Sequence, residues 1–169
     1  MFETRAGEQK LSEDPAAAPG DARVVFIGRI RSPWTDRSTC PKNMRAARET
    51  GLTAELILDE PYRRGLAGLD GVSHIVVLTW FHYSPRDLIV QKPRHATTAR
   101  GVFALRSPAR PNPVGMHVAR LVSVDHETGT VSLDAIDVLD GTPVIDIKPY
   151  FASIDAFPDA TRPSADGPA

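Results

Sequence analysis

The sequence contains a single cysteine, Cys40, among its 169 residues. One cysteine cannot form an internal disulfide, and it cannot build a cysteine-rich zinc site. The five histidines also lack the paired spacing of zinc ligands, so we expect no metal site. A lone thiol suits a reducing compartment, and we expect a cytoplasmic protein in which Cys40 is an ordinary free thiol rather than a nucleophile.

Long apolar runs are also missing. The longest run, residues 75–81, has the length of a strand and not of a membrane span, so no membrane association is expected. The chain does not open with a basic region followed by an apolar stretch, which makes export unexpected. It carries no Gly-rich dinucleotide fingerprint, P-loop or Gly-x-Ser-x-Gly elbow, so NTPase and serine hydrolase functions have no motif support.

Proline is abundant, with 15 residues. Because proline fits poorly inside helices and central strands, we expect short strands joined by structured loops. Strand-like runs follow one another without the alternating helices of a parallel α/β sheet. The pattern predicts a mainly β protein, a single compact and mostly antiparallel β-barrel with short helical turns. The predicted strands are residues 24–30, 52–58, 73–82, 102–105, 116–124, 131–139 and 144–147.

Some segments carry more specific expectations. The nearly continuous apolar run 73–82 predicts a strand that is buried on both faces. Residues 125–129 predict a hairpin, and residues 62–69 show the only helical pattern. Residues 1–22 and 155–169 are rich in small, acidic and proline residues without an apolar period, which predicts disordered tails on either side of a barrel domain at 23–154.

The formal net charge of −1 conceals an uneven distribution of charge. Arginine and lysine crowd residues 29–48 and 86–120, whereas aspartate dominates from residue 125 onward. Basic segments that converge in space form a face that attracts a nucleic-acid backbone. The alternative is a solvated surface of mixed charge.

Residues 103–116 form the first candidate functional segment. Two arginines, Arg106 and Arg110, bracket a loop that is stiffened by three prolines. Proline fixes its own φ angle and pushes the preceding residue into extended geometry, so Asn112 is presented with little loss of entropy. A loop of this stiffness is typical of a ligand site, although the same prolines also suit a tight connection between strands.

Two further segments carry candidate polar groups. Asp140 and Gly141 indicate a turn whose peptide groups, with the Asp140 carboxylate and the Thr142 hydroxyl, can contact a ribose or a base edge. A plain hairpin turn is the alternative. The run 80–83 ends in His82 and Tyr83, which suit stacking on a base or capping of the core. Beyond the turn, 146 and 148 hold an aspartate and a lysine on the same side of a strand, where they can pair.

In this order, the motifs resemble the TsaA-like (VirR-like) family of β-barrel S-adenosylmethionine-dependent methyltransferases. The resemblance covers residues 24–151, and its most specific parts are Arg110–Gly115 and Leu139–Tyr150. It implies N6-methylation of threonylcarbamoyladenosine at position 37 of tRNA, with S-adenosylmethionine as the cofactor. It also implies a homodimer with active sites near the subunit interface.

The resemblance also nominates site residues. For the mechanism we assign Arg106 to orientation and electrostatics, and Asp140 is a candidate base or donor ligand. Arg110 and Asn112 are candidates for substrate contact or loop support, and Tyr62 and the basic loops 29–48 and 86–100 are candidates for contact with tRNA. The residues implied to bind the methyl donor are Asn43, Met44, His82, Tyr83, Arg106, Met116, Leu139, Asp140, Gly141 and Thr142.

The chain departs from the family pattern at three points. Family members often have Pro-Arg-Gln-Pro-Gly where this chain has Pro41–Arg45, and often have Gln where it has Tyr83. Longer members add a C-terminal domain after the barrel. Two other functions therefore stay open: a module that binds S-adenosylmethionine or a nucleotide without transfer activity, and a methyltransferase that acts on a different small acceptor.

Overall fold

The computed structural model describes residues 4–17, 20, 22–93 and 96–161. These residues divide between two compact units. The barrel unit comprises residues 24–82 and 114–156, and the small-sheet unit takes its residues from 1–23, 83–113 and 157–169. The elements in chain order are β1 (Gln9–Lys10), β2 (Gly28–Arg31), α1 (Met44–Glu49), β3 (Ala54–Leu58), a first 3-10 helix (Glu60–Leu66), β4 (His74–Trp80), β5 (Leu88–Gln91), β6 (Arg100–Gly101), a second 3-10 helix (Val102–Ala104), β7 (Val114–Asp125), β8 (Thr130–Leu133), β9 (Pro143–Pro149) and α2 (Ala152–Asp155).

The barrel unit is built on a closed barrel with the strand order β2-β3-β8-β7-β4-β9. Every neighbouring pair of strands is antiparallel. Closure leaves no free sheet edge, and alternate residues of each strand point into the barrel. The prediction of a mainly β protein with an antiparallel barrel is confirmed.

The barrel interior is filled by the inward-facing residues of its strands. Ile75 and Val77 of β4 are fully buried among residues such as Leu56 of β3 and Leu133 of β8. The residues that alternate with them along β4 are only partly buried, so burial alternates along the strand. The expectation that residues 73–82 are buried on both faces is therefore wrong, because a strand of a closed barrel has one inner and one outer face.

Three predicted strands differ from the structure. The expected strand 24–30 begins only at Gly28, as β2. Residues 102–104 of the expected strand 102–105 form a 3-10 helix, in which Leu105 N donates to the Val102 carbonyl over 3.1 Å. The expected strand 131–139 ends at Leu133 as β8. Beyond it the strict alternation of burial is lost, since Ala135 and Ile136 are both buried, and the carbonyls of Ile136 and Val138 accept hydrogen bonds from side chains rather than from a neighbouring strand.

Local elements account for the rest of the comparison. The hairpin at residues 125–129 is confirmed, since Asp125 pairs with Thr130 across it. The helical pattern at 62–69 corresponds to the first 3-10 helix, and the predicted pair forms between Lys148 Nζ and Asp146 Oδ2 at 2.7 Å. Sequence reasoning missed α1, α2, β5 and β6, so the expectation that residues 62–69 show the only helical pattern is wrong.

In the small-sheet unit, strands β1, β5 and β6 form a three-stranded antiparallel sheet. Lys10 Nζ lies 2.6 Å from Asp87 Oδ2, and Leu11 N donates to the Asp87 carbonyl. Strand β1 falls within the segment that was expected to be a tail, whereas residues 1–3, 18, 19, 21 and 162–169 of the two expected tails lie outside the described residues. The domain boundaries at 22 and 154 stay predictions. Among the residues with described structure, no helix has both the length and the apolar character needed to cross a membrane.

Replacement of Gly28 by alanine tests the close approach of β2 to β3. A methyl group there would lie 2.9 Å from Leu58 Cα and would overlap the Ile57 carbonyl oxygen, so backbone must move. We expect Gly28→Ala to lower the free energy of unfolding by about 1 to 3 kcal/mol, as overpacking does. Urea denaturation measures the change. Gly65→Ala is the control, since nothing lies within 4 Å of its added methyl group, and an equal loss in both variants would contradict the packing argument.

Candidate active site

The residues Leu139–Thr142 form a turn that leads into β9. Gly141 has a φ of 74°, which glycine adopts without strain. The Thr142 backbone N–H and hydroxyl both donate to the Leu139 carbonyl, over 3.2 and 2.6 Å. The buried Thr142 hydroxyl therefore closes the turn that the sequence predicted.

The turn is fastened to the end of β2. Asp140 N donates to the Trp34 carbonyl over 2.7 Å, and Gly141 N donates to the Ile30 carbonyl over 2.8 Å. Ser32 N in turn donates to Asp140 Oδ1 over 3.0 Å. Asp140 is exposed, so its carboxylate is accessible to a ligand although one of its oxygens already accepts from Ser32 N.

The fastening continues upstream of the turn. Ser32 Oγ donates to the Val138 carbonyl over 2.8 Å, and Trp34 Nε1 donates to the Ile136 carbonyl over 2.7 Å. We call residues 134–142, which link β8 to β9, the turn segment. Its backbone thus runs beside residues 30–34 and is held there by main-chain and side-chain donors alike.

Asn43, a second nominated residue, is the N-cap of helix α1. Asn43 Oδ1 accepts a hydrogen bond from Ala46 N over 2.9 Å and caps the helix, and the half-buried Met44 packs against the barrel core. Arg48 anchors the other end of the helix, with Nε 3.1 Å from Asp134 Oδ2 and a 2.6 Å bond to the Val118 carbonyl. Asn43 and Met44 therefore have structural roles, and their contacts with a donor stay predictions.

A polar group inside the barrel was missed by sequence reasoning. His117 of β7 is 3% exposed, with Nδ1 2.6 Å from Asp137 Oδ1 and Nε2 2.9 Å from Thr79 Oγ1. The Phe81 ring meets the imidazole edge-on, with 6.0 Å between ring centroids. The available signal was the position of His117 in the alternating run 116–124, which places it on the same face as the buried Ala119.

Cys40 lies near Asp137. Burial, followed by the negative charge of Asp137, raises the pKa of the Cys40 thiol to about 11, against an opposing effect of Arg37. A thiol with this pKa is almost entirely protonated near neutral pH, and thiolate is the nucleophilic form. Cys40 is therefore unsuited to nucleophilic chemistry.

In the small-sheet unit, Arg110 holds the loop that carries Arg106. Its guanidinium donates to the Ser107 carbonyl over 2.7 Å, to the Val102 carbonyl over 3.1 Å and to the Leu105 carbonyl. These bonds favour the loop-support role of Arg110 over substrate contact. Arg106 is exposed at the middle of the loop.

The remaining nominated residues fall in both units. In the barrel unit, the exposed Met116 lies on the outer face of β7 opposite Leu78, Tyr62 is exposed in the first 3-10 helix, and His82 follows β4. In the small-sheet unit, Tyr83 and Asn112 are exposed. Over the described ranges 4–17, 20, 22–93 and 96–161, no group of three or more His, Cys, Asp or Glu residues is placed to hold a metal ion.

The closed six-stranded barrel, with an Asp-Gly-Thr turn fastened to the end of β2, is the class of β-barrel protein that the TsaA-like resemblance implied. Residues 29–156 match the family model of the tRNA-methyltransferase O N-terminal domain. The chain belongs to this family, and the resemblance found in the sequence is confirmed.

Relatives and solved structures agree with this assignment. The chain is 38% identical over 142 residues to a probable S-adenosyl-L-methionine-binding protein VirR of Rhizobium radiobacter, covering 83% of this chain and 78% of that one. It is 38% identical over 143 residues to the tRNA (adenine(37)-N6)-methyltransferase of Escherichia coli, covering 80% of this chain and 60% of that one. The crystal structure of TrmO from P. aeruginosa superposes with a TM-score of 0.70 at 36% identity, covering 90% of this chain and 65% of that one. The chain thus spans less than two thirds of the latter two proteins.

Replacement of Arg110 by alanine tests the loop-support role. Loss of its guanidinium removes a donor from three carbonyls of the 102–107 loop, of which Val102 keeps only Leu105 N, so the loop should open more often. We expect amide hydrogen exchange across 102–107 to accelerate by about tenfold or more, while the barrel amides keep their rates. Arg120→Ala, which removes an exposed arginine of β7, is the control. Unchanged exchange in Arg110→Ala would refute the role.

Replacement of Asp137 by asparagine tests its electrostatic effect on Cys40. Without the Asp137 charge, the pKa of Cys40 should fall below about 11, yet stay above its ordinary value of 9.0 because the thiol is still buried. The pH dependence of Cys40 alkylation, followed by mass spectrometry, gives this pKa. Asp134→Asn removes a carboxylate of the same turn segment that is paired with Arg48 and should leave the pKa in place. An unchanged value in Asp137→Asn would contradict the argument.

Proposed function

We propose that this chain is an S-adenosylmethionine-dependent methyltransferase that methylates N6 of adenosine 37 in tRNA, with threonylcarbamoyladenosine as the acceptor. The observation that carries the proposal is the Leu139–Thr142 turn, fastened to the end of β2 in a chain of the tRNA-methyltransferase O family. The homodimer and the cytoplasmic location expected from the sequence belong to the same proposal.

The turn fits a nucleoside-containing donor. A methyl group built on Gly141 would meet no atom within 4 Å, so the turn borders open space. Beside it, the accessible Asp140 carboxylate is of the type that accepts hydrogen bonds from ribose hydroxyls. S-adenosylmethionine supplies an electrophilic methyl group on a sulfonium. Asp140 would hold the ribose, and the backbone of Leu139 and Gly141 would border the base.

Arg106 would serve the acceptor side. In-line methyl transfer depends mainly on positioning, and the N6 lone pair of the modified adenosine is delocalised into the ring and the neighbouring carbonyl. A guanidinium that binds the acceptor oxygens of this base orients it and stabilises charge that develops there. Arg110, bound to three backbone carbonyls, would keep the Arg106 loop in shape.

Contacts with tRNA would come from exposed residues of the barrel unit. Tyr62 is exposed in the first 3-10 helix and can stack on a base. Among the arginines of residues 29–48, Arg31 pairs with Glu55 at 3.0 Å and Arg48 with Asp134, whereas Arg29 is exposed on β2. The basic face is thus partly neutralised within the protein itself.

A binding module without transfer activity is the second candidate. The observation in its favour is the 38% identity to the probable S-adenosyl-L-methionine-binding protein VirR, whose name gives binding of the donor and no transfer.

Donor binding and methyl transfer, measured on the same preparation, test the proposal. Calorimetric titration should show binding of S-adenosylmethionine and S-adenosylhomocysteine in the micromolar range. Radiolabelled methyl groups should then reach tRNA that carries threonylcarbamoyladenosine. Arg106→Ala should lower the turnover by about a hundredfold while its circular dichroism spectrum stays native, because an oriented charge is lost. Arg106→Lys keeps the positive charge but lacks the planar guanidinium, so it separates the effect of charge from the effect of geometry.

The outcomes separate the candidates. Binding without transfer to any RNA would support the binding module. Transfer that does not depend on tRNA would support a methyltransferase for another small acceptor. Folded protein that binds neither ligand would overturn the proposal, and an unchanged rate in Arg106→Ala would remove Arg106 from the mechanism.

A further inference from the structure

The buried His117 connects two parts of the barrel unit that are far apart in sequence. On one side, the hydroxyl of Thr79 in β4 lies 2.9 Å from Nε2. On the other side, the carboxylate of Asp137 in the turn segment lies 2.6 Å from Nδ1. The imidazole therefore joins the barrel wall to the segment that carries the Leu139–Thr142 turn.

Burial excludes a direct catalytic role for this group. The order hydroxyl, imidazole and carboxylate matches that of a nucleophilic triad. A triad needs a hydroxyl that the substrate can reach, whereas Thr79 is 0% exposed and His117 is 3% exposed. The hydrogen-bonded group therefore acts on the position of the residues that it joins and not on the substrate.

The hydrogen bonds fix the direction of the imidazole. A carboxylate only accepts, so Nδ1–H donates a hydrogen bond to Asp137, and in the neutral imidazole Nε2 then accepts from the Thr79 hydroxyl. Packing fixes the ring as well, because a methyl group built on Gly115 would overlap Thr79 Oγ1 and would lie 2.5 Å from His117 Nε2. The imidazole therefore has one orientation, and it aims at Asp137.

Asp137 stands three residues before Asp140 in a stretch without strand pairing of its own. The same stretch is held at its start by Asp134, whose Oδ1 accepts from Arg120 N over 2.8 Å. Ile136 and Val138 on either side of Asp137 pack into the barrel core, and Asp137 adds a hydrogen bond from the turn segment to the buried His117. Movement there would shift the backbone from which the turn projects.

We propose that His117 is a positioning residue for the donor site: by holding Asp137 it fixes the turn segment, and so sets the affinity of the Leu139–Thr142 turn for S-adenosylmethionine. The inference rests on the proposed function, in which this turn borders the donor. It adds a residue that touches neither donor nor acceptor.

Two amide variants of His117 separate its two bonds. Asparagine places a donor near the position of Nδ1, so His117→Asn keeps the bond to Asp137 and loses the bond to Thr79. Glutamine places its amide near Nε2, so His117→Gln keeps the bond to Thr79 and loses the bond to Asp137. Both variants lose the aromatic contact with Phe81, which makes them matched for packing.

We expect His117→Gln to weaken S-adenosylmethionine binding about tenfold in calorimetry, the effect of one lost buried hydrogen bond to a charged group. His117→Asn, which keeps the bond to Asp137, should bind S-adenosylmethionine with an affinity close to that of the wild type. Thr79→Val, which breaks the other bond of the same buried group, should lower the melting temperature and leave the affinity within about twofold of wild type. Should His117→Gln fail to fold, Asp137→Ala breaks the same bond from its partly exposed side and has the same expected effect.

Hydrogen exchange gives a second readout that needs no donor. The amides of Asp140 and Gly141 are bonded to Trp34 and Ile30, and they should exchange faster in His117→Gln but not in His117→Asn. If wild-type protein binds no donor but the variants show this exchange pattern, the proposed function is wrong and the positioning role of His117 is still supported. Equal affinity and equal exchange in folded His117→Gln and wild type would overturn the inference, as would a loss in Thr79→Val as large as that in His117→Gln.

Discussion

The arrangement of the candidate site depends on the hydrogen bonds between residues 30–34 and the turn segment. The turn segment has left the sheet, yet its backbone still needs partners, because unpaired buried peptide groups are costly. Ser32 and Trp34 supply them through their side chains, and Ile30 and Trp34 accept from the turn through their carbonyls. Without this pairing the turn would have neither a fixed place nor a fixed shape.

Three of the nominated residues form hydrogen bonds within the segments that carry them. Asn43 caps α1, Thr142 closes its turn, and Arg110 binds three carbonyls of the Arg106 loop. Loops that are ordered before a ligand arrives lose less entropy on binding. A sequence motif can therefore reflect the shape of a loop as well as its contacts with a ligand, for which Asp140 and Arg106 are exposed.

Strand alternation made much of the barrel predictable from sequence, and non-local bonding made the rest unpredictable. The runs that became β3 and β7 were found within two residues of their ends, because β3 and the first half of β7 bury alternate side chains. The continuous apolar run located β4 equally well but predicted the wrong burial. The expected strand at 102–105 failed since its carbonyls bond to Arg110 and not to a ladder. The Asp140 turn followed from local chemistry, whereas the Thr79–His117–Asp137 group depends on a register between strands that no local pattern contains.

The presence of a histidine inside this barrel has a physical cost. A buried imidazole is tolerated only when both nitrogens are bonded, and an apolar residue of similar volume would satisfy the core without that condition. Such a residue would fill the barrel equally well but would leave Asp137 without its inner partner. The polar group therefore contributes more to the placement of the turn segment than to the stability of the barrel, which is the trade expected where a loop must hold its position to bind a ligand.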